Sequence, residues 1–276
     1  MRALVLGGTG MLGKAVTAHW RHRQQAVLAL SRQQADITDR RALDAACQSF
    51  RPETVINCAA FTQVDRCETE RDQAMAVNGA AVGNVAAAAR KVGARLIHIS
   101  SDYVFAGDAD APYTEDATTG PRSVYGESKL RGEEEALQHP DALVVRASWL
   151  FGPGGPNFVV TIRNLLAERS ELKVVDDQIG CPTYTPFLAR ALWDLGEAET
   201  SGIVHYCNRD AVSWHGFATE IARAVAPAAR VLPVPTSEFP RPAPRPAFSV
   251  LATQRFEEAV GRQVEPWISG LAAFLQ

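Results

Sequence analysis

The stretch "RALVLGGTGMLGKAVTAHW", residues 2 to 20, limits the possible folds more than any other part of the chain. A short apolar run rich in Leu and Val suits a strand buried on both faces, and it runs directly into glycines. From Met11 onward apolar residues recur at helical spacing. Gly7, Gly10 and Gly13 fall three apart at this junction. Glycine there permits a tight turn and lets backbone N–H groups approach a pyrophosphate at the helix N-terminus. The spacing is Gly-x-x-Gly-x-x-Gly rather than the commoner Gly-x-Gly-x-x-Gly. The strand before it and the helix after it favour a dinucleotide site over a turn that only packs helix on sheet.

The same alternation continues. "AVLAL" reads as a second strand, and Asp39 as the cap of the helix "RRALDAACQSF", which Pro52 ends. "TVINCAA" is a third strand, the Ala-rich "AMAVNGAAVGNVAAAARKVG" a helix, "ARLIHISS" a fourth strand and "ALVVRAS" a fifth. Repetition of this kind specifies a Rossmann-like, doubly wound parallel sheet with helices on both faces, an α/β fold. Near residue 150 the texture changes. "FGPGGPN" and "DDQIGCPTYTP" are loop-rich, "GIVHYC" reads as a strand, and "SWHGFATEIARAV" as a helix capped by Ser213. Residues 231–246 hold too many prolines for a regular element. An ordered loop is expected there, because "FSVL" and the helices "TQRFEEAV" and "PWISGLAAFL" follow. The expected division is a dinucleotide-binding domain at 1–149, completed by about 186–208. A smaller C-terminal substrate-binding region takes up 150–185 and 209–276.

Composition excludes several classes. A chain of 276 residues, 46% hydrophobic, can bury a large core. A formal charge of -3 gives no general attraction to nucleic acid or an acidic membrane. Five scattered cysteines without a Cys-x-x-Cys argue for reduced thiols over a metal knuckle or disulfide framework. No run approaches the ~18 apolar residues of a membrane span, and the first residues lack the long apolar core of a signal peptide. The expectation is a soluble cytoplasmic protein.

"VYGESKLRGEEEAL", residues 124 to 137, has the composition of a charged surface helix. Tyr125 and Lys129 stand four apart within it, one above the other on the same face. The pair alone does not separate chemistry from a solvated surface; its neighbours do. "HISSDYVF" ends the fourth strand, so Ser101, Asp102 and Tyr103 fall at the carboxyl edge where open α/β sheets bind ligands. Taken singly, Ser101 is an adequate cap and Tyr125 a half-buried aromatic. Together with the glycine turn they suit carbonyl reduction. As hydride reaches a carbonyl carbon, the oxygen needs a proton donor within hydrogen-bond reach. A tyrosine, ordinarily near pKa 10, can donate that proton, and a lysine one turn along is expected to lower its pKa. Ser101 would hold the carbonyl oxygen.

Other positions are read on physical grounds alone. An acid at the tip of the second strand would hold a ribose 2'-hydroxyl and repel a 2'-phosphate. Ser31 and Arg32 stand there instead, so NADPH is tolerated, although Arg32 is nearly as well explained as an ordinary surface residue. Asp36 and Ile37 can lie along the adenine, and Ala59, Ala60, Phe61 and Thr62 can border the cofactor. Trp149 offers a flat apolar surface to a sugar or base, or simply packs. Arg245 can pair with a pyrophosphate oxygen, or be a solvated arginine in a proline-rich loop.

With these residues in view, the chain resembles the extended short-chain dehydrogenase/reductases, and among them the dTDP-4-dehydrorhamnose reductases. "GGTGMLG", "NCAAFTQVDRCE", "SSDYVF", "VYGESKLRGE", "RASWLFG", "DDQIGCPT" and "RPAFSVL" are similar to that family's landmarks, in order, across nearly the whole chain. The resemblance implies reduction of the 4-keto group of dTDP-4-dehydro-β-L-rhamnose to dTDP-β-L-rhamnose, the last step of dTDP-L-rhamnose biosynthesis, with NADPH or NADH as hydride source. It implies Tyr125 as proton donor, Lys129 as ribose anchor and tuner of Tyr125, and Ser101, often threonine in the family, at the reacting oxygen. Gly10, Met11 and Leu12 would line the pyrophosphate, Asp36 and Ile37 the adenosine, and Ala60, Phe61 and Thr62 the cofactor's edge. Ser101, Asp102 and Trp149 would contact the nucleotide sugar. Some members form homodimers through magnesium held by glutamates; those positions have no match here, and the metal is not carried over. Two rivals remain. One is another enzyme on the same frame, either a nucleotide-sugar epimerase or dehydratase, which would keep its cofactor tightly bound, or a reductase of a different dTDP-hexose. The other is a non-catalytic cofactor-binding subunit, which would have no chemical need for Ser101, Tyr125 and Lys129 together.

Overall fold

A computed structural model describes all residues, Met1–Gln276. The first half follows the strand–helix rhythm of the sequence. β1 (Arg2–Leu6), α1 (Met11–His22), β2 (Ala26–Leu30), α2 (Arg40–Phe50) and β3 (Thr54–Asn57) come first. Two short helices, α3 (Val64–Thr69) and α4 (Arg71–Ala74), lead through a π-helical turn at Met75–Ala80 into α5 (Ala81–Lys91). β4 (Arg95–Ser101), α6 (Val124–Ala136) and β5 (Ala142–Ala147) complete this part. Asp39 caps α2 as expected, accepting from the N–H groups of Arg41 and Ala42. Arg51 then takes a left-handed conformation ahead of Pro52.

The second half is more broken. β6 (Leu150–Phe151), α7 (Phe158–Glu168), β7 (Glu171–Val175), β8 (Ile179–Gly180) and β9 (Thr183–Tyr184) precede α8 (Thr185–Glu197) and β10 (Gly202–His205). β11 (Val212–Ser213), α9 (Trp214–Val225), β12 (Arg230–Val234), α10 (Gln254–Val260) and α11 (Trp267–Leu275) follow. The main sheet has six parallel strands in the order β10-β5-β4-β3-β1-β2. Its central strands are buried on both faces, which explains their continuous apolar runs. Trp20 of α1 and Leu188 and Leu192 of α8 pack on one face. Leu43, Val82, Val85 and Ala136 from α2, α5 and α6 pack on the other. The chain winds one way from β1 to β2 and the other from β1's opposite side through β3, so the loops after β1 and β3 part at a switch point.

Outside this sheet, α7 and α9 cover the parallel pair β7·β12 around Phe151, Ile162, Phe217 and Trp267. Here the sequence reading needs correction. The proline-rich stretch begins inside a regular element, because β12 includes Val231–Val234. Its N–H groups alternate between inward and outward. Arg230 donates inward to Ser170 O, so Pro233, three residues on, lacks a donor only on the outer side. The loop-rich stretches also carry structure. Asn157 caps α7, and "DDQIGCPTYTP" contains β8 and β9. The rest of the proline-rich segment is the expected ordered loop. Ala243 N–H donates to Asp65 of α3, and "FSVL" is bonded through Phe248 to Gly107 and through Ser249 to Ile179. All five cysteines are free. No helix is long and apolar enough to cross a membrane.

Candidate active site

The glycine turn behaves as its position demands. Gly7 sits at φ +71°, and a Cβ there would come within 2.7 Å of the Ala59 backbone. Only glycine lets the turns after β1 and β3 lie this close. Between them is a cavity of about 200 Å³. It brings together Gly7, Gly10, Arg32, Asp36 and Ile37 with the turn Ala59–Phe61. Thr9, Cys58, Gln73 and Val77 also line it and were not anticipated. The remaining residues of the motif have other places. Leu12 is in the core and Gly13 is buried behind the turn. Thr62 is exposed beyond the cavity lining. Met11 meets the loop after β6, where Asn157 Nδ2 is 3.7 Å from its sulfur. Lys14 Nζ donates to Gly154 O in the same loop, at 2.8 Å. Arg32 is exposed and paired with Asp36, Nε to Oδ2 3.0 Å. Thr38 donates to Asp36 from its backbone N–H and its hydroxyl, and with Arg32 holds that carboxyl below its ordinary range. An open glycine floor at a helix N-terminus, beside an apolar wall and a cationic rim, fits a dinucleotide.

The end of β4 makes the second wall. The Ser101 hydroxyl donates to Asp102 Oδ1 at 2.9 Å and accepts from Tyr103 N–H at 3.3 Å. Tyr125 lies in the first turn of α6, where Ser123 caps the helix by accepting from Gly126 N–H. A Cβ on Gly126 would reach 2.2 Å from Tyr103 O, so glycine lets α6 start directly against this strand end. Tyr125 meets Tyr103 edge-on, ring centres 5.4 Å apart, and packs in one small cluster with Phe61 from the cofactor-side turn.

The electrostatics differ from the expectation at one point. Burial pushes the Tyr125 phenol above its ordinary value, with the Ser101 hydroxyl opposing the rise and Asp102 adding to it. Lys129 does not offset this. Its ammonium donates to Ile99 O at 2.7 Å, and burial pulls it down to about 8. The outcome is a phenol that keeps its proton, as a donor must. Asp102 is 2% exposed, and burial raises it to about 6 against the nearby Ser249 hydroxyl and the hydrogen bond from Ser101. Its second carboxyl oxygen has no hydrogen-bond partner.

Sequence reasoning missed Asn78. It lies in the π-helical turn, 1% exposed, and accepts from Phe61 N–H at 2.7 Å while donating to Phe61 O at 3.0 Å. It also donates to Ser128 Oγ on α6 at 3.0 Å. One amide thus ties the cofactor-side turn to the helix of Tyr125 and Lys129. An asparagine inside an alanine-rich helix, where it has poor propensity, was the available signal.

Two expected residues have more particular surroundings than foreseen. Trp149 is at φ +48° and stacks on Trp214, centres 3.5 Å apart and planes within 3°, with Gly180 against its ring. A non-glycine residue held there costs about 1–3 kcal/mol, and such strain is concentrated at functional sites. Trp214, which opens α9, was not anticipated. Arg245 is not a solvated arginine. Its Nη2 is 2.8 Å from Asp65 Oδ1, and it borders a cavity of about 160 Å³ with Tyr103, Phe105, Arg122 and Ser123.

A parallel sheet with a glycine turn at its switch point, and a Tyr-x-x-x-Lys helix beside a strand-end serine, define a reductase-type dinucleotide frame of the short-chain dehydrogenase/reductase kind. The sequence matches the family described as RmlD substrate binding domain along residues 1–276, and the chain belongs to that family. It is 44% identical to a dTDP-4-dehydrorhamnose reductase of Streptomyces griseus, over 98% of this chain and 91% of that one. It is similar to the crystal structure of a dTDP-4-dehydrorhamnose reductase from Clostridium acetobutylicum, at TM-score 0.96 and 39% identity, covering 100% and 98% of the two chains. A dTDP-4-dehydrorhamnose reductase from Bacillus anthracis, solved in complex with NADP, is similar at TM-score 0.94 and 37% identity, covering 99% and 98%.

Proposed function

We propose that the chain reduces the 4-keto group of dTDP-4-dehydro-β-L-rhamnose to dTDP-β-L-rhamnose with NADPH or NADH, in the cytoplasm. The observation that carries this reading is the half-buried, proton-holding phenol of Tyr125 beside Ser101, packed in one cluster with Phe61 of the glycine-floored cavity's wall. The reduced nicotinamide, when bound, supplies the hydride. Tyr125 gives its proton to the oxygen of the reacting carbonyl, and Ser101 holds that oxygen in line. Lys129, whose ammonium is held at Ile99 O, anchors the nicotinamide ribose.

The backbone at Gly10–Leu12 faces the pyrophosphate, Asp36 and Ile37 the adenosine, and Ala59–Phe61 the cofactor's flank. Asp102, Tyr103, the Trp149 edge and Arg245 take the nucleotide sugar. In this reading residues 1–149 with about 186–208 bind the dinucleotide, and 150–185 with 209–276 the sugar nucleotide. The test is turnover of dTDP-4-dehydrorhamnose with each reduced cofactor, followed by loss of nicotinamide absorbance and NMR of the product. No oxidation of either cofactor would overturn the proposal. A dehydratase is the second reading, favoured by the buried carboxyl of Asp102 beside Ser101. Protein that purifies with one equivalent of NAD would support it.

A further inference from the structure

The same helical stripe that carries Tyr125 and Lys129 continues to Glu133, four residues further on. The run "RGEEEAL" reads as surface charge, but Glu133 is 2% exposed. It lies between α6 and the sheet. Ser100 Oγ donates to its Oε1 at 2.5 Å. Arg146 of β5 grips it from below with a fork, Nε to Oε1 at 2.8 Å and Nη2 to Oε2 at 2.7 Å. Ser100 and Arg146 are register partners on adjacent strands, so the carboxylate is fixed over two strands at once. Arg146 is itself held. Its Nη1 lies 3.3 Å from His205 Nε2 and 3.4 Å from Glu115 O, and its guanidinium lies over the Phe105 ring.

A buried ion pair contributes little net stability compared with apolar residues of the same volume. α6 already has apolar packing through Ala136 against Val82 and Val85. The pair therefore needs another reason, and the groups around Lys129 provide one. From the turn after β3, Cys58 is a neutral thiol, pushed up to about 12 by burial. From β4, His98 is buried and held neutral. On α6, Tyr125 keeps its proton. From β5, the one charged group beside the stripe is Arg146, which grips Glu133. Lys129 Nζ is held at Ile99 O and the Glu133 carboxylate at the adjacent Ser100, one helical turn apart, so Glu133 is left as the anion that offsets the burial of the Lys129 ammonium.

We propose that Glu133 is a positioning residue for this reaction, holding the reactive stripe of α6 on the sheet and keeping Lys129 charged while it is buried. This rests on the reductase reading for its consequence in turnover, but not for its effect on Lys129. The test is NMR titration of protein labelled at the lysine ε-carbons. There are four lysines, Lys14, Lys91, Lys129 and Lys173, and Lys129→Met assigns the resonance of interest. In Glu133→Gln the Lys129 ammonium is expected to lose its proton at a measurably lower pH than in the wild type. The alkaline fall of kcat should move down by the same interval, KM for the nucleotide sugar should change less than threefold, and Glu133→Asp should restore most of both.

Because Glu133→Gln leaves Arg146 unpaired and can fail to fold, the double variant Glu133→Met with Arg146→Met removes both charges and should show a smaller downward move, since the gripped pair has no net charge. An unchanged Lys129 titration in both variants, or a loss of kcat equal at every pH, would overturn the proposal. If the wild type reduces no nucleotide-sugar ketone but its Lys129 still responds to Glu133→Gln, the substrate reading fails and the coupling stands.

Discussion

The two halves of the molecule are built on different terms. The first half is one six-stranded sheet whose strands are specified by runs of apolar residues and whose helices cover both faces. The second half has no sheet of more than two strands outside the strand it adds to that one, and two of its pairs are only two residues long. It is pinned by single polar contacts. Ser148 donates to Cys181 O, Asn208 accepts from Tyr184 N–H, Thr236 N–H donates to Asp177, and Arg245 pairs with Asp65. The first half is fixed chiefly by pattern, while the second adds individual long-range bonds to its smaller apolar core. Substitutions in them should therefore differ in kind, those at the crevice affecting chemistry and those beyond it affecting one ligand at a time.

The largest expected effect lies where the halves meet. Tyr125→Phe keeps the ring packed against Tyr103 and Phe61 but removes the donor. Turnover should fall by roughly 10²–10⁴-fold, the usual worth of a positioned acid. NADPH affinity, measured by fluorescence titration, should stay within about twofold, since the lost hydroxyl contributes proton transfer rather than packing. Turnover close to wild type would remove this residue from the mechanism.

Asp102→Asn comes next and acts on stability. The carboxyl is buried, and its folded value of about 6 is above its ordinary 3.8. A group raised on folding contributes stability that is whole below its unfolded pKa and is lost as pH rises through the folded one. At pH 7 the ionised, buried Asp102 is thus a cost, of order 3 kcal/mol at about 1.4 kcal/mol per pH unit. Asn removes it. The variant should melt about 5 °C higher at pH 7 and no higher at pH 4. An equal gain at both would assign the effect to packing. Activity should fall in the same variant, because a polar group left without a partner at a site is there for its ligand.

The same contrast decides how much could be read beforehand. Strand and helix periodicity placed β1 to β5, α1, α2, α5 and α6, and the Asp39 and Ser213 caps, because each signal is local, while α3, α4 and the π-helical turn were not foreseen. The signals that failed are not local. Pro233 argued against a strand until β7 supplied a partner that leaves its missing donor outward. Glu133 looked like surface charge because Arg146, thirteen residues on, is what buries it. Asn78 serves Phe61 and Ser128, seventeen and fifty residues away. At the site, Tyr125, Lys129 and Ser101 were legible as a motif. The Trp149–Trp214 stack was not, since Trp214 also suits the apolar stripe of α9.

Asp65→Ala tests whether the halves act separately. Asp65 belongs to α3, between the cofactor-side turn and the π-helical turn, yet its partners are Ala243 N–H and Arg245 on the sugar side. Its removal frees the proline-rich loop and leaves the glycine floor intact. KM for the nucleotide sugar should rise about tenfold, as fits loss of a partly buried charge pair worth about 1 kcal/mol and its backbone bond. The Kd of NADPH should not change. A parallel loss of both would show that the loop orders the dinucleotide site as well.

The smallest expected effect lies at the far end of the cofactor cavity. Arg32 is exposed and already shared with Asp36, so any pairing with a ribose 2'-phosphate occurs in well-screened surroundings. Asp36 is not free to repel that phosphate strongly, because Thr38 and Arg32 both bond to it. Arg32→Ala should weaken NADPH by about three- to fivefold, less than 1 kcal/mol, and leave NADH within error, as read by KM for each cofactor at low ionic strength. Raising the salt should shrink the difference in the wild type and do nothing in the variant. Equal weakening of both cofactors would mean that Arg32 shapes the adenine wall through Asp36 instead of reading the phosphate.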